Sequence, residues 1–340
     1  MPFQITIQPS EHKFTPEADE TILEAALRHG FTLPYGCRNG ACGSCKGKLI
    51  SGQVDYGDHQ RNTLTAAEKA QGLALFCCAT PLSDLVIECR EVGVAKDIQI
   101  KTIPCRVQKL EKVSPDVVVL SLKLPASERL HFMAGQYIDI LLKDGKRRSF
   151  SLANAPHDDA VLQLHIRHVA GGTFSEYVFS QMQEKAILRF EGPLGTFFLR
   201  EDSTKPIIFL ATGTGFAPIK SIVEHALNSG TQRSLTLYWG ARHLSDMYMY
   251  DLPMQWQQTH ANFKFVPVLS QPGPEDRWTG RIGHVQDCVL VDHVQVNDLQ
   301  VYACGSPSMV ENAHKKLVAA GLPDEDFFSD AFTFARDSKK

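Results

Sequence analysis

The rhythm of apolar and polar positions changes twice along the chain. In the first stretch, FQITI at residues 3–7 reads as a strand, and the next strand-like run is LVIEC at 85–89. Between them TILEAALRHG, at 21–30, has the pattern of a helix. Thr21 supplies an N-cap, Glu24 completes a capping box and Gly30 ends it. After the polar connection REVGVAKDIQIKTIP come short runs with turns between them: CRVQKLEKV, VVVLSLKL, QYIDILL, SFSLA, VLQLHIRHV and ILRFEG. Their spacing predicts a small antiparallel barrel, interrupted by one helical piece, TFSEYVFSQM. From about Lys205 the runs PIIFLA, LTLYWGA, FKFVPVLS and LQVYACG alternate with helical segments such as APIKSIVEHALNSG and PSMVENAHKKLVAAG. That alternation predicts a parallel sheet with helices on both faces. Three domains are therefore expected: a mixed α+β domain over 1–95, an antiparallel β-barrel over 100–203 and an α/β parallel-sheet domain over 204–340.

Composition narrows the class. A length of 340 residues suits two or three domains, and 43% hydrophobic with 21% charged residues suits globular cores. A net charge of −3 argues against nucleic acid as the main partner, and no basic run suggests a membrane surface. The N-terminus lacks the basic start and apolar block of a signal peptide, and no apolar run approaches the ~18–20 residues of a membrane span. A cytoplasmic location is the default expectation. Nine cysteines in a reducing compartment should not form a disulfide framework. Cys37, Cys42, Cys45, Cys77 and Cys78 then need a metal, a redox role or an ordinary place in the core.

The stretch CRNGACGSCKGKL at 37–49 points to the metal. Cys37-x4-Cys42-x2-Cys45 with a distant cysteine is the spacing of a plant-type [2Fe–2S] site. Such a cluster needs four thiolates and carries negative charge, which backbone N–H groups turned toward the sulfurs stabilise. Gly36, Gly40 and Gly43 let the backbone approach and take up positive φ. Zinc is the competing reading, but it usually takes two Cys pairs or Cys/His pairs, and the adjacent thiols of Cys77 and Cys78 suit a tetrahedral pair badly. PYGCRNGACGSCKGKLISG and LFCCATPLSDLVIE resemble the cluster loop and closing segment of plant-type ferredoxins. The resemblance implies a β-grasp domain and selects Cys77 as fourth ligand, with Cys78 its neighbour. Cys89 and Cys105 lie in strand-like runs and read as small buried hydrophobes.

RRSFSLANAP at 147–156 alternates Arg, an aromatic and Ser along a strand. Alternation puts Arg148 and Phe150 on one face, Ser149 and Ser151 on the other. In HVAGGTFSEYVF a Gly pair precedes a helix start, which presents free N–H groups to a pyrophosphate. With EGPLGTFFL, these segments resemble the ferredoxin–NADP reductase superfamily. The resemblance implies FAD in the barrel. Arg148 would bind a flavin phosphate, beside Ser149, and Phe150 would pack on the isoalloxazine where the motif more often has Tyr. Ser151 would lie near the flavin N5, and the turn at Gly172, Thr173 and Ser175 would hold the pyrophosphate.

PIIFLATGTGFAPIKSIVEH is strand, Gly-x-Gly turn, then helix. From Thr212 onward, Gly213 and Gly215 let a phosphate approach the helix N-terminus, and Pro218 suits its first turn. YACGSPSMV makes a second such turn at the C-terminal edge of the sheet. In the superfamily these turns flank the nicotinamide. That places Cys304 beside the hydride path with Gly305 next to it, although a core cysteine is the alternative. FFSDAF resembles the family's last strand, so Phe332 would cover the flavin face and Asp330 would supply a carboxylate. After LTLYWGA, Arg242 could pair with the 2′-phosphate of NADPH, whereas Asp246 would repel it and accept from free ribose hydroxyls. With no further Arg or Lys before Lys264, NADH is expected to be preferred and NADPH to be poorer.

Taken whole, the order ferredoxin, flavin barrel, nucleotide domain resembles single-chain reductases of multicomponent oxygenases, and most nearly the glucoseen reductases of dideoxysugar synthesis. The resemblance implies an NAD(P)H-dependent oxidoreductase passing electrons through FAD and the cluster to an acceptor protein. A sugar dehydrase and a di-iron or Rieske oxygenase component are the candidate acceptors. A redox-sensing module without turnover is the alternative of a different class.

Overall fold

The computed structural model describes residues 3–92 and 98–333. They divide into two compact units, one holding the residues up to Ile98 together with Thr333, the other Gln99–Phe332. The expected domain ends at 95 and 340 lie outside the described residues. No described helix is long and apolar enough to cross a membrane.

The first unit is built on a five-stranded sheet in the order Lys13–Phe14, Ile5–Gln8, Leu85–Glu88, Lys46–Ser51, Leu73–Leu75. Its central pair is parallel, with Ile5 opposite Leu85, as expected of a β-grasp. The helix Ile22–Arg28 buries Ile22, Leu23, Ala25 and Ala26. It has the expected capping box of Thr21 and Glu24, and Gly30 follows it at φ 82°. The strands Lys46–Ser51 and Leu73–Leu75 and a second capped helix, Ala66–Ala70, are additional to the sequence reading. Lysines interleave the first of these strands, and the second is only three residues long, within the apolar run that leads into the cysteine doublet.

The second unit contains a sheet of six antiparallel strands, ordered Arg147–Ser151, Tyr137–Leu141, Ile187–Leu194, Lys101–Ser114, Val117–Lys123, Leu162–Arg167. A bridge between Leu152 and Leu164 joins the two outermost strands and closes the barrel. Its inward residues, among them Ile138, Ile140, Leu162, Leu164, Ile166 and Phe190, form one core.

The remaining sheet is wholly parallel, ordered Arg281–Ile282, Phe263–Leu269, Leu235–Ala241, Ile207–Thr212, Gln300–Gly305, Phe327–Ala331. Alternate residues of the Ile207–Thr212 strand feed two cores. Ile207, Phe209 and Ala211 join one, with Phe216 and Trp239; Ile208 and Leu210 join the other, with Val285 and Met309. This is the expected sheet with helices on both faces. The strand order reverses at Ile207–Thr212, and such a switch point opens a crevice beyond the strands' carboxyl ends.

Candidate functional site

The cysteine loop is shaped by its own backbone. The N–H of Cys37 donates to the Cys42 sulfur at 3.3 Å, and the N–H groups of Ala41 and Cys42 donate to the Cys37 sulfur at 3.4 and 3.3 Å. Gly40 has φ 71°, and a β-carbon there would fall 2.9 Å from the Cys78 sulfur and 2.8 Å from the His59 Cβ. Only glycine meets both demands. Cys45 Sγ lies 3.1 Å from Cys77 Sγ, which is 3.6 Å from Cys78 Sγ. The segment carrying Cys77 is clamped by a helix start: Ile22 N–H donates to the Ala79 carbonyl and Leu23 N–H to that of Phe76, both at 2.9 Å. Phe76 N–H in turn donates to the Cys45 carbonyl at 3.0 Å, which sets Cys77 beside Cys45.

The thiols shift unequally. The Cys42 thiol's hydrogen bond lowers Cys37 to about 7. Those of Cys45 and then Cys78 hold Cys77 well below the ordinary thiol range, while Cys45 and Cys78 are pushed up. Gathered sulfurs, amides aimed at them and two thiols held low, Cys37 and Cys77, fit an iron–sulfur cluster, although Cys42, like Cys45, is pushed up by its thiol neighbour and burial. None of the nine cysteines is in a disulfide.

In the barrel the two expected flavin segments meet. The Phe150 ring packs on Phe174 with centroids 5.3 Å apart, which joins the Arg147–Ser151 strand to the first turn of the helix Thr173–Ser180. Gly172 is the N-cap of that helix and no side chain caps it. The Ser175 hydroxyl is used inside the turn: it donates to the Val169 and Gly172 carbonyls and accepts from Val169 N–H, each at 3.1 Å. Arg148 Nη1 donates to the Arg147 carbonyl, and Ser149 Oγ donates to Asp139 Oδ1 on the neighbouring strand at 2.6 Å. Ser151 is buried. A helix start without a side-chain cap, touched by an aromatic ring from a strand that also carries Arg148, fits a phosphate joined to a flat ring system.

At the parallel sheet's switch point lies a cavity of about 300 Å³, lined in part by Thr212, Gly213, Gly240, Arg242, Asp246 and Ser306. Both expected turns reach it. Thr212 Oγ1 accepts from Ser306 N–H at 3.0 Å, so one turn holds the other. Gly213 has φ 53° and begins the tight turn Gly213–Gly215 that leads into the helix Phe216–Asn228, with Pro218 in that helix's first turn. Gly215 works differently from the expectation: it is packed against the Cys304–Gly305 backbone, where a β-carbon would collide. Arg242 pairs with Asp246 at 3.7 Å, four residues on in the loop that follows the strand Leu235–Ala241. Cys304 is fully buried in the core with Phe216 and Trp239, and burial pushes its thiol well up. Asp330 stands opposite it on the next strand, and Phe332 N–H donates to the Gly305 carbonyl at 2.8 Å. Asp116, Arg167, Tyr248 and His284 also line the cavity. The sequence marks Tyr248 only by its place after LTLYWGA. Arg167 follows from nothing but its alternation with Gln163 and His165 along a strand.

Three family models match in turn: the 2Fe-2S iron-sulfur cluster binding domain over residues 5–82, the oxidoreductase FAD-binding domain over 104–199 and the oxidoreductase NAD-binding domain over 209–315. The CDP-6-deoxy-L-threo-D-glycero-4-hexulose-3-dehydrase reductase of Yersinia pseudotuberculosis is 42% identical over 98% of this chain and 99% of its own. The chain belongs to this family of iron–sulfur flavoprotein reductases. A reductase component of terephthalate 1,2-dioxygenase from Comamonas is 36% identical over 98% of both chains. The cytochrome P450 reductase GcoB of Amycolatopsis superposes with a TM-score of 0.80 at 32% identity, covering 97% of this chain and 98% of its own. Membership makes the chain an oxidoreductase with a [2Fe–2S] domain, an FAD-binding barrel and an NAD-binding domain, the architecture of the described sheets.

Proposed function

We propose that this reductase draws electrons from NADH and delivers them to a sugar dehydrase acting on a CDP-linked deoxyhexulose. What carries the reading is the joining, in one chain, of a sulfur-lined loop and a cavity built from both nucleotide turns. The higher identity to the dehydrase reductase than to the oxygenase component favours the dehydrase as acceptor. A cytoplasmic location agrees with a small soluble nucleotide as donor.

Cys37, Cys42, Cys45 and Cys77 would hold the iron, with Cys78 close beside. Arg148 would release its Arg147 carbonyl contact to pair with a flavin phosphate, Phe150 would meet the ring face, and Ser149 and Ser151 would line the same strand. The turn of Gly172, Thr173 and Ser175 would hold the pyrophosphate, with Gly172, whose own N–H donates to the Val169 carbonyl at 2.9 Å, setting its shape. When bound, the flavin accepts two electrons at once and releases them singly. Thr212, Gly213 and Gly305 would border the dinucleotide, with Gly215 and Pro218 setting the turn behind them. Asp246 would accept from the adenosine ribose and Arg242 would flank it. Cys304, Asp330 and Phe332 would shape the nicotinamide end by excluding water.

NADH-driven reduction of cytochrome c tests the route. Cys42→Ser should abolish it while leaving NADH-driven ferricyanide reduction in place. Loss of both activities with an intact flavin spectrum would contradict the assigned order. Adding the purified dehydrase and its sugar substrate tests the acceptor, and an oxygenase component accepting electrons in its place would overturn that choice.

A further inference from the structure

His165 lies on the strand Leu162–Arg167 and is only 5% exposed, on the barrel face opposite Leu164 and Ile166. Its Nδ1 is 2.9 Å from the Tyr248 hydroxyl, and its Nε2 is buried with no hydrogen-bond partner. The rings of Tyr248 and Phe216 enclose it, at centroid distances of 5.4 and 6.5 Å. Burial, with the nearby Lys220 charge second, lowers its pKa to about 3, so the ring is neutral and carries one proton. Which nitrogen holds that proton is decided by the partners. A proton on Nε2 would leave a buried donor orphaned. A proton on Nδ1 leaves only an orphaned acceptor, which proteins tolerate more readily.

We infer that His165 is a positioning residue: its Nδ1–H donates to the Tyr248 oxygen, and the Tyr248 hydroxyl proton is thereby turned to the nucleotide cavity as a donor to the bound dinucleotide. Tyr248 lines that cavity with Arg242 and Asp246, and its one hydrogen bond among the described contacts is the one to His165. A hydroxyl whose oxygen already accepts has only its proton to offer. The natural acceptors are the oxygens of a ribose or pyrophosphate. A strand of the barrel thus sets the polarity of a group in the nucleotide site. The inference rests on a dinucleotide occupying the cavity.

Calorimetric titration of the intact, flavin-loaded protein with NAD⁺ tests it. Tyr248→Phe and His165→Leu should each weaken binding by roughly 3–10-fold, the worth of one neutral hydrogen bond. His165→Asn, which keeps a donor, should restore most of it. In the Tyr248→Phe background, His165→Leu should cost nothing further. Undiminished binding by Tyr248→Phe, or an unchanged His165→Leu penalty in that background, would overturn the inference. Wild-type protein that does not bind NAD⁺ at all would instead count against the nucleotide reading. Independently, ¹⁵N NMR of histidine-labelled wild-type protein, with His165 assigned by its absence from the His165→Asn spectrum, should show Nδ1 protonated. A proton on Nε2 refutes the inference whatever the variants do.

Discussion

Gly215 lies so close to Cys304 that a β-carbon on it would fall 2.2 Å from the Cys304 carbonyl oxygen. The two turns that border the nucleotide cavity are therefore packed backbone to backbone. Gly305 reciprocates, since its own β-carbon would meet Thr212 Oγ1 at 2.2 Å. Gly215→Ala must displace backbone, which typically costs about 1–3 kcal/mol. It should lower the thermal midpoint and abolish NAD⁺ binding while the cluster spectrum stays intact. Gly213→Ala meets only the Arg167 guanidinium, at 3.0 Å, and pays about 1–2 kcal/mol for its left-handed φ. A Gly213→Ala variant that also loses binding completely would show that collision is not what distinguishes the two.

The cysteine doublet can be separated spectroscopically. Cys78→Ser should keep the visible absorption and the reduced-state EPR signal of a [2Fe–2S] centre. Cys77→Ser should lose it, or recruit Cys78, whose sulfur is 3.6 Å away. Loss of the signal in Cys78→Ser alone would reverse the ligand choice.

Nucleotide preference is expected to turn on the Arg242–Asp246 pair. Asp246 both occupies the guanidinium and repels a second anion. NADH should therefore give the larger kcat/KM in ferricyanide reduction. Asp246→Asn should raise kcat/KM for NADPH several-fold by freeing Arg242, with little change for NADH. If NADPH is already the better donor, Asp246 does not set the preference.

His165 also makes stability depend on pH. Its folded pKa, about 3, lies below the ordinary value near 6.5 of an unfolded chain. Below about pH 6.5 the unfolded state binds a proton that the folded state refuses. Stability falls as pH drops toward the folded pKa, by up to about 1.4 kcal/mol per pH unit. The thermal midpoint of His165→Asn should decline less between pH 6.5 and 4 than that of wild type. Parallel curves would remove His165 as the cause.

Much of this was legible in the chain. Most strands of the barrel and the parallel sheet announce themselves because they bury one or both faces, so their apolar residues recur, whereas Arg281–Ile282, exposed at both positions, leaves no such mark. The cysteine loop is legible because iron ligation fixes spacing and glycine content at once. The strand Lys46–Ser51 escaped because Lys46, Lys48 and Ser51 break its pattern. The roles of Gly215, His165 and Tyr248 escaped for another reason. Each depends on a partner at least 80 positions away in sequence, and no local pattern encodes which backbone or hydroxyl that partner presents. Cys304 could be read either way from sequence, and burial is what settles its surroundings.

The clamp of Ile22 and Leu23 on Ala79 and Phe76 has a consequence for maturation. The fourth thiol is presented by two amides that exist as a pair only once the first helix has formed. If Cys77 is a ligand, iron loading is expected to depend on the folding of a seven-residue helix that carries the Thr21–Glu24 capping box. Thr21→Ala should slow cluster reconstitution of the apoprotein, followed by visible absorbance, well before it alters the spectrum of protein already loaded. A bound cluster would in turn be expected to hold the helix amides in place, so that iron supply and the survival of this fold would rise and fall together.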